Sequence, residues 1–510
     1  MSEKTEDAFT NVEEATIADL QAALVAGRVT AQRLVELYLE RIETLDRQGP
    51  ALHSILEINP DAIAIARSLD EERATTGPRG PLHGIPVLLK DNIATADTMQ
   101  TTAGSLALVG ARVPRDAFVA KKLREAGAVI LGKANLSEWA NFRSDHSSSG
   151  WSGRGGQVHN PYVLDRSPCG SSSGSAVAVA ASLVAAALGS ETDGSILCPS
   201  AINGVVGIKP TVGLTSRAGV IPVSHTQDTI GPHARTVADA ATLLSAIVGV
   251  DARDAATQGS AGKFHSDYTQ FLHADGLRGA RIGVSRDKYF GYSPKTDEVI
   301  NTAIDHMREL GAIIIDPADI PTAQQMSTSE AEITLMLHEF KADLNAYLAE
   351  LTGTSLRTLA DVITFNIAHA SEEMPYFGQD IFEKAQETTS LDAPEYLAAL
   401  AETRRLSRQE GIDAVMEAQQ LDALVMPTGG PTWCIDPVNG DHFSGSSSQP
   451  AAMAGYPAIS VPAGHVFGLP VGITFMGRAY SEPTLIKLAY AFEQATKARR
   501  VPQYMPTLVY

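Results

Sequence analysis

The first part of the chain carries apolar residues at helical spacing. Leu20, Leu24, Leu34, Leu37, Ile42 and Leu45 recur mostly at intervals of three, four or their multiples. Thr16 and Asp19 stand just before them at the spacing of a capping box, in which each side chain binds the other residue's backbone N–H. The pattern predicts helices over residues 1–70.

From Pro81 onward, short apolar runs replace the helical pattern. Residues 85–89 and 128–131 are such runs, and each leads into a segment with Gly, Asn or Asp. Short runs of this kind are typical of buried strands that feed functional loops. A helical segment at 117–126 lies between them, and the alternation indicates an α/β layered core over residues 80–240.

The second half of the chain is first helical and then strand-like again. Residues 322–421 have helical patterns, whereas 423–426 and 459–461 are short apolar runs, so residues 422–510 are expected to return to the core sheet. Neither a Pro-rich linker nor a run of charge divides the chain. The sequence therefore favours one large domain over residues 1–510.

Amino-acid composition and net charge limit the kinds of molecule that the protein is expected to bind. Hydrophobic residues make up 44% of the 510 residues and charged residues 19%, which is enough apolar material for a large core. The formal net charge of −19 disfavours polyanions, because phosphate backbones are bound through clustered Lys and Arg. We expect no nucleic-acid partner.

Two further stretches bear on location. The segment Met1–Asp7 is polar and acidic and lacks the basic start and apolar run of a secretory signal, so we expect a cytoplasmic protein. The longest stretch of low polarity, Ala176–Leu188, is shorter than the roughly 20 residues that cross a bilayer and contains Ser182. It predicts a buried helix and no membrane association.

The chain has three cysteines, Cys169, Cys198 and Cys434. Their odd number, wide spacing and lack of a CxxC pair argue against a disulfide framework and against a zinc site. The expectation is therefore free thiols in a reducing compartment.

Residues 170–174 (Gly-Ser-Ser-Ser-Gly) match the nucleophile elbow of α/β-hydrolases, with Ser172 at the centre. An elbow needs a strand running directly into it, yet the preceding residues 164–169 include Pro168 and show no strand pattern. A simpler interpretation is that the serines cap the apolar helix that follows. Ser172 is therefore disfavoured as a nucleophile.

Three short segments are informative only when they are considered together. They are residues 84–92, which end in Lys90-Asp-Asn; the loop 170–174; and residues 190–199, which contain Gly194-Ser195-Ile. Together they resemble the amidase signature family, in which a Lys-Asp-Asn segment, a Gly-Ser-Ser loop before an Ala-rich helix and a Gly-Ser-Ile segment recur. The family's two serines lie 24 positions apart, as do Ser171 and Ser195 (195 − 171 = 24). Residues 132–140, 204–210 and 455–458 extend the match over nearly the whole chain.

The resemblance implies a fold and a site. The fold is a mixed β-sheet covered by helices on both faces. Ser195 takes the role of nucleophile, Ser171 that of the serine after a cis peptide bond, and Lys90 that of the base. The backbone N–H groups expected to hold the oxyanion are those of Thr192, Asp193, Gly194 and Ser195. Ser172 is expected to support the site from behind, and neither a cofactor nor a metal is implied.

Residue types at these positions suit the chemistry. A serine hydroxyl attacks an amide only when a base takes its proton. Lysine can be that base when burial keeps it neutral, and the apolar strand before Lys90 provides such burial. A histidine mechanism using His225 and Asp228 is the alternative, for which the sequence offers no supporting motif.

Departures from the family pattern narrow the resemblance. Asp193 and Leu197 replace a usual Gly and Arg, and residues 169–176 and 191–196 look like the bacterial peptide amidase branch. That branch removes the C-terminal carboxamide of peptides. By this resemblance Asn141 faces the carboxamide, although a loop asparagine satisfied by backbone is equally expected. The implied partner is a small-molecule or short peptide amide, bound by a monomer or homodimer.

Other functions remain open at this level. Within hydrolases, the rival is a general or aryl-acyl amidase acting on small carboxamides or anilides. The family also includes A-type amidotransferase subunits, which supply ammonia for the amidation of aminoacylated transfer RNA, and Leu197 departs from their Arg-containing motif. A catalytically inactive binding protein would have lost Lys90, Ser171 or Ser195, and all three are present.

Overall fold

A computed structural model of the protein describes residues 9–509. The acidic segment Met1–Asp7, on which the expectation about a secretory signal depends, lies outside the described residues. Within them the chain forms one large α/β domain, built on a sheet of eleven strands. The α/β fold predicted from the alternation of runs is confirmed.

The strands follow one another in the chain as β1 (Ile55–Ile58), β2 (Pro86–Lys90), β3 (Val129–Ala134), β4 (Trp151–Ser152), β5 (Gly156–Gln157), β6 (Ala186–Glu191), β7 (Val206–Lys209), β8 (Thr229–Ala234), β9 (Arg281–Val284), β10 (Ile313–Ile315), β11 (Ala423–Pro427), β12 (Ala458–Val466) and β13 (Leu469–Met476). Across the large sheet the order is β1-β3-β2-β6-β8-β7-β12-β13-β11-β9-β10, and β4 and β5 form a separate ribbon. The sheet is mixed: β2 pairs in parallel with β3 and β6, whereas β6 and β8 are antiparallel.

Helices flank this sheet. They are α1 (Ile17–Val25), α2 (Ala31–Arg41), α3 (Ala62–Thr76), α4 (Phe118–Glu125), α5 (Ser173–Ala180), α6 (Leu197–Ile202), α7 (Val237–Ile247), α8 (Pro294–Glu309), α9 (Ala323–Thr328), α10 (Ala331–Ala349), α11 (Leu359–Ala368), α12 (Ala370–Glu373), α13 (Asp380–Glu387), α14 (Pro394–Arg404), α15 (Asp413–Ala418), α16 (Gln449–Ala454) and α17 (Glu482–Thr496). Within residues 9–509, none of the helices combines the length and apolar character needed to cross a membrane.

The N-terminal helices begin as the sequence indicates. The side chain of Thr16 accepts a hydrogen bond from the N–H of Asp19 at 3.1 Å, and the Asp19 carboxylate accepts one from the N–H of Thr16 at 3.0 Å. The capping box is therefore confirmed. The same region also contains β1, a four-residue strand that pairs with the end of β3, where helical spacing alone gave no sign of a strand.

The prediction of one buried helix over Ala176–Leu188 is wrong in its second half. Helix α5 ends at Ala180, Ser182 takes a left-handed φ of 54°, and β6 begins at Ala186. An uninterrupted apolar run fits a buried helix and a strand buried on both faces equally well. Pairing of β6 with β2 and β8 decides for the strand.

The expectation that all three cysteines are free thiols is also wrong. Cys169 and Cys198 form a disulfide bond, with a Cα–Cα distance of 6.2 Å, whereas Cys434 is free and exposed. Spacing along the sequence did not reveal the pair, because 29 positions separate the two cysteines and only the folded loops bring them together.

Candidate active site

Lys90 ends β2, a central strand of the sheet in which every residue is buried. Its side chain is 0% exposed. The ammonium nitrogen Nζ donates to Ser171 Oγ at 2.7 Å, to Ser190 Oγ at 2.9 Å and to the Ser190 carbonyl at 3.2 Å. The structure thus brings together two of the three residues expected to carry the chemistry.

Burial shifts the proton affinity of this lysine. Desolvation lowers the pKa of Lys90 from its usual 10.5 to about 7, while the negative charges of Asp228 and Glu191 oppose the shift. A sizeable fraction of the side chain is then neutral near neutral pH. A neutral amine held against a serine hydroxyl is able to accept that hydroxyl's proton.

Ser171 follows a cis peptide bond from Gly170 and is fully buried. Gly170 is closely packed, since a Cβ there would lie 2.1 Å from Ser137 Oγ. The N–H of Ser137 donates to the Ser171 carbonyl at 3.1 Å, and Ser173 Oγ donates to the Cys169 carbonyl at 2.6 Å. The loop that presents the Ser171 hydroxyl to Lys90 is thus held on both sides.

Ser195 lies four residues beyond the end of β6 and just before α6, and it is 8% exposed. A buried carboxylate fixes the turn: Glu191 Oε2 accepts from the N–H of Ile196 at 2.7 Å and of Leu197 at 2.9 Å. The N–H of Ser172 donates to the Ser195 carbonyl at 3.2 Å. The loops that carry Ser171 and Ser195 are therefore directly joined.

The segment expected to hold an oxyanion precedes Ser195. Gly194 has a φ of +73°, a left-handed conformation that favours glycine, and a Cβ there would lie 2.9 Å from Ser448 Oγ. Among residues 9–509, no acceptor is bound to the N–H groups of Thr192, Asp193, Gly194 and Ser195. Unoccupied donors beside a serine hydroxyl are what oxyanion stabilisation requires.

Ser172 is occupied elsewhere. Its hydroxyl donates to the Ser190 carbonyl at 3.0 Å, and the N–H of Ser190 donates back to Ser172 Oγ at 3.2 Å. In the described chain no strand leads into residues 170–174. This geometry does not support the elbow interpretation. The Ser172 hydroxyl instead stabilises the end of β6 through its hydrogen bonds to the Ser190 backbone.

Asn141 lies in an unusual turn. Trp139, Ala140 and Asn141 all have left-handed backbones, with φ of 51°, 56° and 70°. The Asn141 Oδ1 atom is buried and has no hydrogen-bond partner among the described residues. The alternative that backbone satisfies this side-chain oxygen is therefore not supported. A buried Arg143–Glu138 ion pair, at 3.0 Å, lies next to the turn.

The structure does not assemble a His225–Asp228 pair. His225 Nδ1 lies 2.9 Å from the Asp343 carboxylate and its Nε2 lies 3.3 Å from Glu339. Asp228 instead accepts a hydrogen bond from Thr192 Oγ1 at 2.6 Å. The carboxylate that would have oriented the histidine is thus committed to a different partner.

Sequence reasoning missed Ser190 and Glu191. Ser190 Oγ accepts hydrogen bonds from both Lys90 Nζ and Asn92 Nδ2, each at 2.9 Å, so it helps to aim the lysine. The Lys90-Asp-Asn92 segment could have indicated a polar residue such as Ser190 nearby, because an asparagine two positions beyond a buried lysine needs a polar partner at the same strand end. Nothing in the sequence pointed to the contacts of Glu191.

Comparison with known proteins fixes the class. A family model described as Amidase matches residues 33–486. A probable amidase of Arabidopsis thaliana is 48% identical over 503 residues, covering 97% of this chain and 92% of that protein. A putative amidase of Schizosaccharomyces pombe is 40% identical over 525 residues, covering 97% of this chain and 87% of that protein.

Among solved structures, the native peptide amidase from Stenotrophomonas maltophilia superposes with a TM-score of 0.93 at 52% identity, covering 97% of this chain and 100% of that one. The fold and these similarities define a hydrolase of amide bonds. The chain belongs to the amidase signature family.

Proposed function

We propose that the protein hydrolyses the C-terminal carboxamide of peptides, with Ser195 as nucleophile and Ser171 and Lys90 as its proton relay. The observation that carries the proposal is the 2.7 Å hydrogen bond between Lys90 Nζ and Ser171 Oγ, inside a site where burial lowers the pKa of Lys90 to about 7. A lysine in ordinary solvent would be charged at neutral pH and would have no lone pair to offer.

In the first half of the reaction, neutral Lys90 takes the proton of Ser171 while Ser171 takes that of Ser195. The Ser195 oxygen bonds to the carbonyl carbon, and the negative charge on the carbonyl oxygen is stabilised by backbone N–H groups of the segment Thr192, Asp193, Gly194 and Ser195. Each such donor contributes about 3 to 4 kcal/mol in comparable acyl-transfer enzymes.

In the second half, the relay runs backwards. The proton on Lys90 returns through Ser171 to the amide nitrogen, the C–N bond breaks and ammonia leaves, because an unprotonated amide nitrogen is too basic a leaving group. A water molecule then attacks the acyl-enzyme, losing its proton to the same relay. The free acid departs and Ser195 recovers its hydroxyl.

Asn141 supports a primary carboxamide as the substrate. Its buried, unpartnered Oδ1 is an acceptor that the NH₂ group of a carboxamide would satisfy. A free carboxylate in the same position would bring two acceptors together without a proton, which is costly in a desolvated site. The 52% identity to a structurally characterised peptide amidase favours the same substrate class.

The test is a panel of amides: a dipeptide amide, its free acid, a fatty amide, an anilide and glutamine. Released ammonia or amine is measured, and mass spectrometry locates the change. We expect loss of the amide nitrogen at the C-terminus alone, with interior peptide bonds intact. Internal fragments, or rapid turnover of anilides or fatty amides without attack on the dipeptide amide, would contradict the proposal. Turnover of glutamine alone would point to the amidotransferase alternative.

A further inference from the structure

The segment Val223–Asp228 lies between the nucleophile loop and helix α10. Four consecutive side chains bind carboxylates of that helix: Ser224 and Thr226 bind Glu339, His225 binds Asp343 and Gln227 binds Glu332. The Thr226 Oγ1 contact is 3.0 Å, the His225 Nδ1 contact 2.9 Å and the Gln227 Nε2 contact 3.0 Å. This segment, which we call the strap, is therefore fixed to α10 at three positions along that helix.

The last two residues of the strap contact Thr192 on the other side, and Gln227 Nε2 donates to the Thr192 carbonyl at 3.4 Å. Asp228 Oδ1 accepts from Thr192 Oγ1 at 2.6 Å, and Asp228 Oδ2 accepts from the N–H groups of Val223 at 2.8 Å and Ser224 at 3.0 Å. Both carboxylate oxygens are thus occupied. Since Thr192 begins the segment that leads to Ser195, Asp228 ties that segment to the anchored strap.

The charge of Asp228 also acts on Lys90. Burial raises the pKa of Asp228 to about 6, against the lowering effect of the Thr192 hydrogen bond and of Arg217, so the group is largely ionised at neutral pH. Asp228 binds Thr192, which is two residues beyond Ser190, and the hydroxyl and carbonyl of Ser190 both bind Lys90 Nζ. Through this short path the negative charge of Asp228 opposes the effect of desolvation on Lys90, as does that of Glu191. His233 contributes no charge there, because burial and nearby Lys90 lower its pKa to about 3.

We propose that Asp228 is a positioning residue of the amidase, which aligns the oxyanion donors through Thr192 and whose charge sets the pH range in which Lys90 can accept a proton. The inference rests on the proposed function. Asp228 is not a catalytic residue, because its oxygens are taken up by Thr192 and by its own strap and do not reach the reacting atoms.

Asp228→Asn separates the charge from the geometry. An amide oxygen still accepts from the Val223 and Ser224 N–H groups, and the amide NH₂ can donate to a rotated Thr192 hydroxyl. Without the negative charge, the ammonium form of Lys90 loses a stabilising neighbour. We expect the rise of kcat/KM with pH on the acid side of the profile, its acid limb, to move to lower pH by about 0.5 to 1 pH unit.

The matched control is Asp343→Asn, the same chemical change on the opposite side of the strap, where the carboxylate contacts His225. Its acid limb should coincide with that of the parent enzyme. The profile is recorded with whichever amide the wild-type protein turns over. Failure on peptide amides would therefore count against the proposed substrate without touching the role of Asp228.

Thr192 supplies the second variant pair. Thr192→Val removes the hydroxyl that Asp228 holds, and we expect kcat to fall about tenfold with KM within about twofold, because a misaligned oxyanion donor weakens the transition state more than the bound substrate. Thr192→Ser should recover most of that loss. If Asp228→Asn folds and the acid limb of its kcat/KM profile lies at the same pH as that of the parent enzyme, the proposal is wrong. If Asp228→Asn does not fold, Thr192→Val decides, and a kcat equal to that of the parent would overturn the proposal.

Discussion

At the residue scale, Ser195 is the position on which the proposed chemistry depends most directly. Ser195→Ala removes one oxygen from a turn held by Glu191, so the variant should fold as the parent does. We expect ammonia release to fall by about 10⁴-fold or more, as for nucleophile deletions in other serine hydrolases. The measurement is steady-state ammonia release, with circular dichroism to verify folding.

Ser172→Ala is the control at the neighbouring serine. Its hydroxyl binds the backbone of Ser190, so the substitution should lower activity modestly by loosening the end of β6. If Ser172→Ala loses its activity and Ser195→Ala keeps it, Ser172 is the nucleophile and Ser195 is not.

The proposed role of Lys90 as base predicts how activity depends on pH. Because burial lowers its pKa to about 7 and the proposed relay needs the neutral amine, kcat/KM should rise as pH increases through about 7 and then level off. Lys90→Ala should remove most of the activity at every pH. A rise that survives in Lys90→Ala and vanishes in His225→Ala would instead assign the base to the histidine.

At the scale of elements, the disulfide joins the loop that carries Ser171 to the helix that follows Ser195. Cys169 precedes the Gly170–Ser171 peptide, and Cys198 lies in the first turn of α6, three residues after Ser195. Replacing both by alanine should lower the free energy of unfolding by about 3 to 4 kcal/mol, the loop-entropy value for a loop of this length, and should also lower activity. Urea denaturation and amide turnover measure the two effects.

Cys434→Ala is the matched control, because this cysteine is exposed and free. It should leave both stability and turnover at parental values. Equal stability of the Cys169→Ala/Cys198→Ala double variant and the parent would contradict the role given to the disulfide.

The same scale shows how far local patterns determine elements. The apolar runs at 85–89 and 128–131 correctly mark β2 and β3, because a strand buried on both faces must be apolar throughout. The run Ala176–Leu188 was misassigned because its residues are buried in either conformation. Only the pairing of β6 with β2 and β8 distinguishes them.

At the scale of the whole molecule, three fully buried lysines lie in one sheet: Lys90 on β2, Lys133 on β3 and Lys209 on β7. Burial lowers the pKa of Lys133 from its usual 10.5 to about 8. Between these values the unfolded chain binds a proton that the folded chain does not. The lysine therefore makes the free energy of unfolding rise with pH in this window, and that gain is lost as pH falls from about 10.5 to about 8.

Lys133→Met should reduce that rise by about 1 kcal/mol per pH unit between roughly pH 8.5 and 10. The readout is the slope of stability against pH from urea denaturation, since loss of the Lys133 bonds to Ile93 and Thr101 lowers stability at every pH. Exposed Lys121, changed to Met, is the control and should keep the parental slope. Identical slopes for the two variants would contradict the buried-lysine account.

The sequence by itself determined the class of fold and, through the family resemblance, the residues that are proposed to carry the chemistry. Lys90, Ser171 and Ser195 stand in short local motifs that resemble those of the amidase signature family, and that resemblance assigned their proposed roles. Alternation of apolar runs with helical patterns determined the α/β class in the same local way.

Only the tertiary structure decided the contacts between distant segments. The Cys169–Cys198 bond, the place of Ser190 between Lys90 and Asn92, and the choice of Thr192 over His225 as the partner of Asp228 all join residues 29 to 100 positions apart. No local pattern specifies such pairs, because hydrogen-bonding groups are matched by the packing of strands and loops and not by neighbours in sequence. The depressed proton affinity of Lys90 has the same origin, since it depends on which segments close over the end of β2.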